Sequence, residues 1–500
     1  MIKMKQLSHN GILIPKYEPK GFHLLFKNKK INLTPEQEEM AVAWVRKLGT
    51  EYAEDKVFIK NFFEDFCKAL GVGKASLEDF DFSEIKSFVD KERESKLNMP
   101  KEEKKKLAAE RKVVREANKE KYGHAIVDDE KVELGNYMAE PSSIFMGRGK
   151  HPLRGKWKKG AVESDIILNL SPGSKVPPGK WKEIVWNPDF LWIAKWDDKL
   201  RGKEKYVWLS DTSPMKQERE IEKFDKAADL EKKFHMIEEH ILKNLDSDDV
   251  KKRKVATVCF LIDTLSMRVG DEKDEDEADT VGATTLTSKN INICSCNLVK
   301  FDFIGKDYVK WEKEVTLPDN VVRNLKEFIS NSKSFVFDGV KSEDVNAFLS
   351  EIVKGVTAKV FRTYHASKAV KEYLEKNNAK DSDPEYYKKY IATMANLQAA
   401  IVCNHKRKLP KKWKESLEKK KQGLEKLKLK KSKNIKEKIK AAKLKIELMK
   451  ETKDYNLNTS LKSYIDPRIF YRWSKKTGFD WKKYYSKTLQ RKFSWLEKED

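Results

Sequence analysis

Apolar residues keep helical spacing in some stretches of this chain and alternate in others, and the switches mark its parts. Residues 1–33 read as short strands and turns. Thr34-Pro35-Glu36-Gln37 then opens a helix: Thr34 can cap it, Pro35 suits the first turn, and Gln37 completes a capping box. Gly49 is its expected stop. A second helix carries Phe58, Phe62, Phe63 and Phe66 on one side, and residues 90–122 read as one solvated, charged helix. From Gly147 to Leu209 the runs shorten and alternate, at Asp165–Leu170, Leu191–Lys195 and Tyr206–Leu209, among frequent Gly, Pro and Trp. That texture predicts a small β-rich unit.

Helical spacing returns at Ser213-Pro214 and runs to about Leu245. Val255–Leu265 is dense enough in apolar residues to be a buried helix. Phe301–Ile304 and Tyr308–Trp311 read as two strands of a hairpin turning at Gly305-Lys306-Asp307. Helices dominate from Val321 to Cys403. Beyond them, Trp413, Leu417, Leu424 and Leu427 share one face, as do Ile435, Ile439, Ala442, Ile446 and Met449. With Lys431–Asn434 as the break, these predict an antiparallel helical hairpin with a thin apolar seam.

Charge sharpens this picture. The chain has 500 residues, enough for two to four domains, and a net charge of +24, which favours a polyanionic partner. The excess is concentrated in the hairpin: residues 406–453 hold 21 basic against 6 acidic side chains, a net of +15. No apolar run approaches the roughly 20 residues of a membrane span, and the first residues lack a secretory apolar core. The five cysteines are odd in number, and Cys294-Ser-Cys296 lacks a second pair, which argues against structural zinc and for a reducing compartment.

Taken singly, the candidate chemical residues have ordinary readings. Arg268 can pair with the acidic run Asp271–Asp279, itself a solvated loop. Lys306 is a turn lysine, His405 ends an apolar helix, and Tyr464 is one of 16 tyrosines. Lys359 and Arg362 stand three apart, the spacing of a surface pair or of a two-cation phosphate clamp.

The local sequences say more. Leu265-Ser-Met-Arg268-Val-Gly270, Ala278-Asp-Thr-Val-Gly282, Phe301-Asp-Phe-Ile-Gly-Lys306-Asp307, Thr357-Ala-Lys-Val-Phe-Arg362, Cys403-Asn-His405 and Tyr464-Ile-Asp-Pro-Arg468 together resemble the eukaryotic type IB DNA topoisomerases. Upstream, Tyr17-Glu-Pro19, Asn61-Phe-Phe63, Tyr122-Gly123 and Gly147-Arg-Gly149-Lys-His-Pro152 fit the same family, so the likeness runs from about Leu7 to the C-terminus. It implies an α+β, multi-lobed DNA clamp. Residues 1–215 would form a cap lobe with its β-rich unit at about 147–209, and 216–405 a mainly helical, tyrosine recombinase-like catalytic lobe. Residues 406–455 would be a helical-hairpin linker and 456–500 the domain carrying the nucleophile.

The resemblance makes Tyr464 the nucleophile, which forms a 3′-phosphotyrosyl bond on one strand of double-stranded, preferably supercoiled, DNA. Arg268, Arg362 and His405 would hold the non-bridging oxygens, and Lys306 would protonate the leaving 5′-oxygen. Arg148, Lys150, Lys359, Asp307 and Ser463 are the implied DNA contacts. Fixed cations can replace a metal at such a centre, and exchange of one phosphodiester for another needs no ATP. No cofactor is therefore expected, a divalent cation at most stimulating, with a monomeric enzyme in the nucleus.

Three departures stand out against the family. The long charged N-terminal tail is missing, which leaves Lys251-Lys-Arg-Lys254 as a candidate import signal, and the linker is short. Ser463 replaces the usual Asn before the nucleophile, so reduced sensitivity to camptothecin-type poisons is expected. Two rival readings are a site-specific tyrosine recombinase and a non-catalytic basic architectural protein. Neither accounts for both the upstream lobe and the ordered motifs.

Overall fold

The computed structural model describes residues 3–271, 280–431 and 434–498, apart from the Asp307 side chain, and it divides into two units, Met1–Lys216 and Gln217–Asp500. Residues 272–279 of the acidic run and part of the expected break at Lys431–Asn434 lie outside the described residues.

In the first unit, β1 (Leu7–His9) pairs antiparallel with β5 (His124–Val127), which pairs with β6 (Glu130–Glu133). A second small sheet joins β2 (His23–Phe26) to β3 (Lys29–Asn32) and β4 (Phe80–Asp81). Around it pack α1 (Pro35–Val45), α2 (Lys56–Leu70) and α3 (Ser83–Asn98), with Trp44, Phe58, Phe62 and Phe66 fully buried. Each such aromatic stabilises the fold by roughly 1.5–3 kcal/mol through burial alone. The Thr34–Gln37 capping box forms as expected. The helix ends at Val45, short of Gly49, whose φ of +78° serves the turn that follows.

The charged stretch 90–122 is not one helix. Pro100 has no N–H to continue the ladder, and the chain breaks there into α3 and α4 (Lys101–Tyr122), which buries no residue. Beyond the pair β7 (Ser143–Ile144) and β8 (Trp157–Lys158) lies a four-stranded sheet. Its strands are β9 (Ile167–Asn169), β10 (Glu183–Val185), β11 (Trp192–Asp197) and β12 (Glu204–Trp208), in the order β10-β9-β11-β12.

The second unit follows α5 (Pro214–Asn244) with α6 (Val250–Leu265). α6 starts a turn before its apolar stretch because Asp249 caps it, accepting from the Lys251 and Lys252 amides. The basic run Lys251–Lys254 is thus helical, with Lys251 2.7 Å from Asp344 and Arg253 paired to Glu327. A meander of β13 (Ile291–Ile293), β14 (Leu298–Gly305) and β15 (Val309–Thr316) follows. The hairpin strands are longer than expected, and Tyr308 belongs to the turn, with φ of +57°.

Next come α7 (Asp319–Ser330), α8 (Ser342–Ser350), α9 (Ala358–Lys376) and α10 (Glu385–Val402). The basic segment folds into α11 (Trp413–Lys428) and α12 (Ile435–Glu451), whose seam is thin, Ile446 being its one buried residue among those described. Tyr386 and Tyr390 on α10 donate to Glu437 (2.6 Å) and Glu447 (2.7 Å) on α12. Three short helices close the chain: α13 (Leu457–Ser463), α14 (Pro467–Thr477) and α15 (Lys487–Lys492). No helix among the described residues is long and apolar enough to cross a membrane.

Candidate active site

α6 ends where Ser266 turns left-handed, with φ of +52°, and the chain leaves the helix as an extended segment carrying Arg268. Two glycines hold that segment. The Arg268 carbonyl accepts from the Ala283 amide at 2.8 Å. A Cβ on Gly282 would lie 2.4 Å from the Gly270 Cα and 2.8 Å from the Arg268 carbonyl oxygen. The spacing of the two glycine motifs therefore has a steric cause: two backbones touch directly beneath Arg268. Lys306 opens the turn between β14 and β15.

Arg362 lies on α9 and is 4 % exposed. One terminal nitrogen donates to the Cys403 carbonyl at 2.6 Å and the other to the Tyr464 phenolic oxygen at 3.3 Å. Its guanidinium also stands 4.8 Å from the centre of the Tyr464 ring. His405 follows α10, with ring centroid 5.0 Å from that of Tyr464, and its Nδ1 lies 2.7 Å from Ser460 Oγ. Arg268, Lys306, Arg362 and His405 line one cleft with Ser266, Asn404, Lys406, Asn456 and Thr459.

His405 is not the cation that its place in this group implies. Burial, reinforced by Arg362 and Arg268, pulls its pKa down to about 3, so the imidazole is neutral at physiological pH. Burial also raises the Cys403 thiol despite the same arginines.

Four basic or imidazole side chains around one cleft, with a phenol fixed to one of them, form a centre able to bind a phosphodiester and present it to a nucleophile. Family profiles match nearly the whole length. The profile for the DNA binding fragment of eukaryotic DNA topoisomerase I covers residues 2–209, the catalytic core 212–443, and the C-terminal topoisomerase domain 436–500. DNA topoisomerase 1 of Homo sapiens is 33% identical over 99% of this chain and 71% of its own length. The chain belongs to the eukaryotic DNA topoisomerase I family. DNA topoisomerase 1 beta of Arabidopsis thaliana is 35% identical over 99% of the chain but only 58% of its own length. For the Drosophila melanogaster protein the figures are 33%, 99% and 54%, so the chain spans little more than half of these relatives.

The residues expected from the topoisomerase I motifs do not all meet. Tyr464 is 7 % exposed and packs against Arg362 and His405, but it is not among the residues lining the cleft. Lys359 is exposed, whereas Arg362 is buried and lines the cleft. Ser463 is half-buried. Arg148 and Lys150 are exposed in the first unit, and the Asp307 side chain lies outside the described residues.

Spacing did not point to the residues beneath Tyr464. The last turn of α13 ends at Ser463, and its free carbonyls are met by lysines. Lys492 is 8 % exposed and donates to the Lys462 carbonyl at 3.0 Å, and Lys223 donates to the Ser463 carbonyl at 3.1 Å. Glu220 pairs with both, at 2.6 Å to Lys223 and 3.0 Å to Lys492. Burial lowers the pKa of Lys223, and Glu220 opposes that shift. Ser367 Oγ donates to the Tyr464 carbonyl at 3.4 Å. No spacing rule reveals this bracket, because its members come from opposite ends of the unit.

Proposed function

We propose that the chain relaxes supercoiled duplex DNA by ATP-independent, transient cleavage of one strand. Its supporting observation is the convergence of Arg268, Lys306, Arg362 and His405 on one cleft, with the Tyr464 phenol 3.3 Å from Arg362. The Tyr464 oxygen attacks a backbone phosphorus, and a phosphotyrosyl ester forms as the bond to the 5′-oxygen breaks. Charge grows on the equatorial oxygens of that transition state, where two guanidiniums and an imidazole N–H serve as fixed donors. Lys306 gives its proton to the leaving 5′-oxygen, and the phenolic proton passes to solvent water as the ester forms. Because Tyr464 is held against Arg362 and His405, it turns toward the cleft to reach the phosphate. The freed end rotates, and its hydroxyl reverses the exchange, so the phosphodiester energy is kept.

In this reading the first unit caps the duplex with Arg148 and Lys150 as contacts. Lys359, Asp307 and Ser463 border the cut, and the lysine hairpin faces downstream DNA as a linker. The chain acts on nuclear DNA, as a monomer. Negatively supercoiled plasmid incubated with the protein in EDTA and without ATP tests this. Ladders of relaxed circles are expected, abolished by Tyr464→Phe. A requirement for a specific site and for multimers would mean recombinase chemistry instead, and the absence of any protein–DNA adduct after rapid denaturation would overturn strand cleavage altogether.

A further inference from the structure

The Ser460 side chain is fully buried, 0 % exposed, and its hydroxyl has one hydrogen-bond partner among the described residues, His405 Nδ1 at 2.7 Å. That geometry admits two arrangements. If Nδ1 carried the imidazole proton, it would donate to Ser460, and the buried hydroxyl hydrogen would have nowhere to go. Such an orphaned donor destabilises a fold. If Ser460 donates to Nδ1 instead, the hydroxyl is satisfied and the imidazole proton rests on Nε2.

His405 Nε2 is buried and has no hydrogen-bond partner among the described residues, although its ring lines the cleft with Arg268, Lys306 and Arg362. Its other nitrogen is taken by Ser460, so Nε2 is what the imidazole has left to offer. The choice of tautomer decides whether that offer is a donor or a lone pair. Beside an anionic phosphate oxygen, a lone pair repels and an N–H attracts.

We propose that the Ser460 hydroxyl is a positioning group, which locks His405 as the Nε2–H tautomer and so makes it the neutral hydrogen-bond donor to a non-bridging phosphate oxygen. The inference rests on the strand-cleavage reading above and assigns within it a residue that never touches DNA. Two further observations support it. The imidazole is held neutral by burial and by Arg362 and Arg268. A doubly protonated ring would donate from both nitrogens and would need no tautomer lock. The Ser460 backbone is also fixed to the nucleophile, its carbonyl accepting from the Tyr464 amide at 2.9 Å and the Ile465 amide at 3.1 Å. One residue therefore aims the donor with its side chain and anchors the nucleophile with its main chain.

A double-mutant cycle with full-length protein tests the lock, reading single-turnover cleavage of a duplex oligonucleotide, duplex affinity and thermal midpoint. Ser460→Ala should slow cleavage about 10-fold, within the range for removing a partner that orients a functional imidazole, and leave duplex affinity unchanged. Ser460→Thr, which keeps a hydroxyl, should restore the rate. In a His405→Ala background, Ser460→Ala should add nothing, because there is no ring left to orient. Equal slowing by Ser460→Ala with and without His405 would overturn the proposal, as would a Ser460→Ala enzyme cleaving at the parental rate. Should Ser460→Ala fail to fold, Ser460→Cys replaces it in the cycle under the same criteria. If the parent forms no adduct, strand cleavage itself fails and the inference with it. If the parent cleaves and the cycle is additive, the inference fails alone.

Discussion

His9 and His405 are buried almost equally, 7 % and 6 % exposed, in two different units of the chain. Burial drives both toward neutrality, His9 to about 4 and His405 to about 3. They differ in what their nitrogens do. His9 accepts from the Gly11 amide at Nδ1 (3.0 Å), and its Nε2 faces the Asn169 carbonyl at 3.1 Å. Both ring nitrogens serve the first unit's own backbone. His405 has Nδ1 matched by Ser460 and Nε2 unmatched among the described residues. Burial alone thus does not separate a structural histidine from a functional one. An unmatched nitrogen alone does not either, since His124 Nδ1 is also unmatched among the described residues; what sets His405 apart is that its ring lines the cleft with Arg268, Lys306 and Arg362.

Four experiments press on this contrast. The largest effect is expected from Arg362→Ala, which removes the guanidinium held to both Tyr464 and the Cys403 carbonyl. Single-turnover cleavage should fall by about 10³-fold, and a loss below 10-fold would contradict a phosphate-binding role. Next, the two histidines should part company. His405→Ala should slow cleavage by about 10²-fold and cost less stability than His9→Ala, because it leaves one unmatched partner, the Ser460 hydroxyl. His9→Ala should leave cleavage untouched but lower stability by about 2–3 kcal/mol, through the unmatched Gly11 N–H and Asn169 carbonyl.

The third experiment is pH dependence. The folded pKa of His9 lies below its unfolded value, so the unfolded chain binds more protons between pH 6.5 and about 4. Stability from this group is therefore full above pH 6.5 and drains away as pH falls to about 4, by about 3 kcal/mol at most. Equilibrium unfolding of a His9→Gln variant across that range should lose this share of the slope. The smallest effect is expected at Ser463. Ser463→Asn should raise cleavage trapped by camptothecin-type poisons a few-fold, and unchanged trapping would count against a role for this side chain in drug response.

Much of the fold is legible along the chain because its elements carry local signals. Ser213-Pro214 marks the start of α5 within one residue, and the apolar seam of the lysine hairpin reads directly from Trp413 to Met449. What escapes is either short or non-local. β13 has three residues beside a turn, too few for a period to show. Pro100 follows the uncharged Leu97-Asn98-Met99 between two charged runs of the same texture, which conceal the change of helix. At the site, motifs bring Arg268, Lys306, Arg362 and His405 together, but charge state is a property of burial. Neither the neutrality of His405 nor the withdrawn position of Tyr464 is written in the order of residues. Glu38 shows the same limit: it is fully buried, and burial alone would raise its pKa. The Lys20, Phe22 and Gly21 amides and the Tyr17 hydroxyl reverse that and hold it low.

The bracket of Glu220, Lys223 and Lys492 has a consequence for timing. A ribosome makes residue 220 long before residue 492, and Tyr464 lies between them in the order of synthesis. Until Lys492 has emerged, the Lys462 carbonyl lacks its ammonium partner and the last turn of α13 is only half pinned. The lysine hairpin can thus be made in full before both carbonyls at the end of α13, and with them Tyr464, are pinned from below.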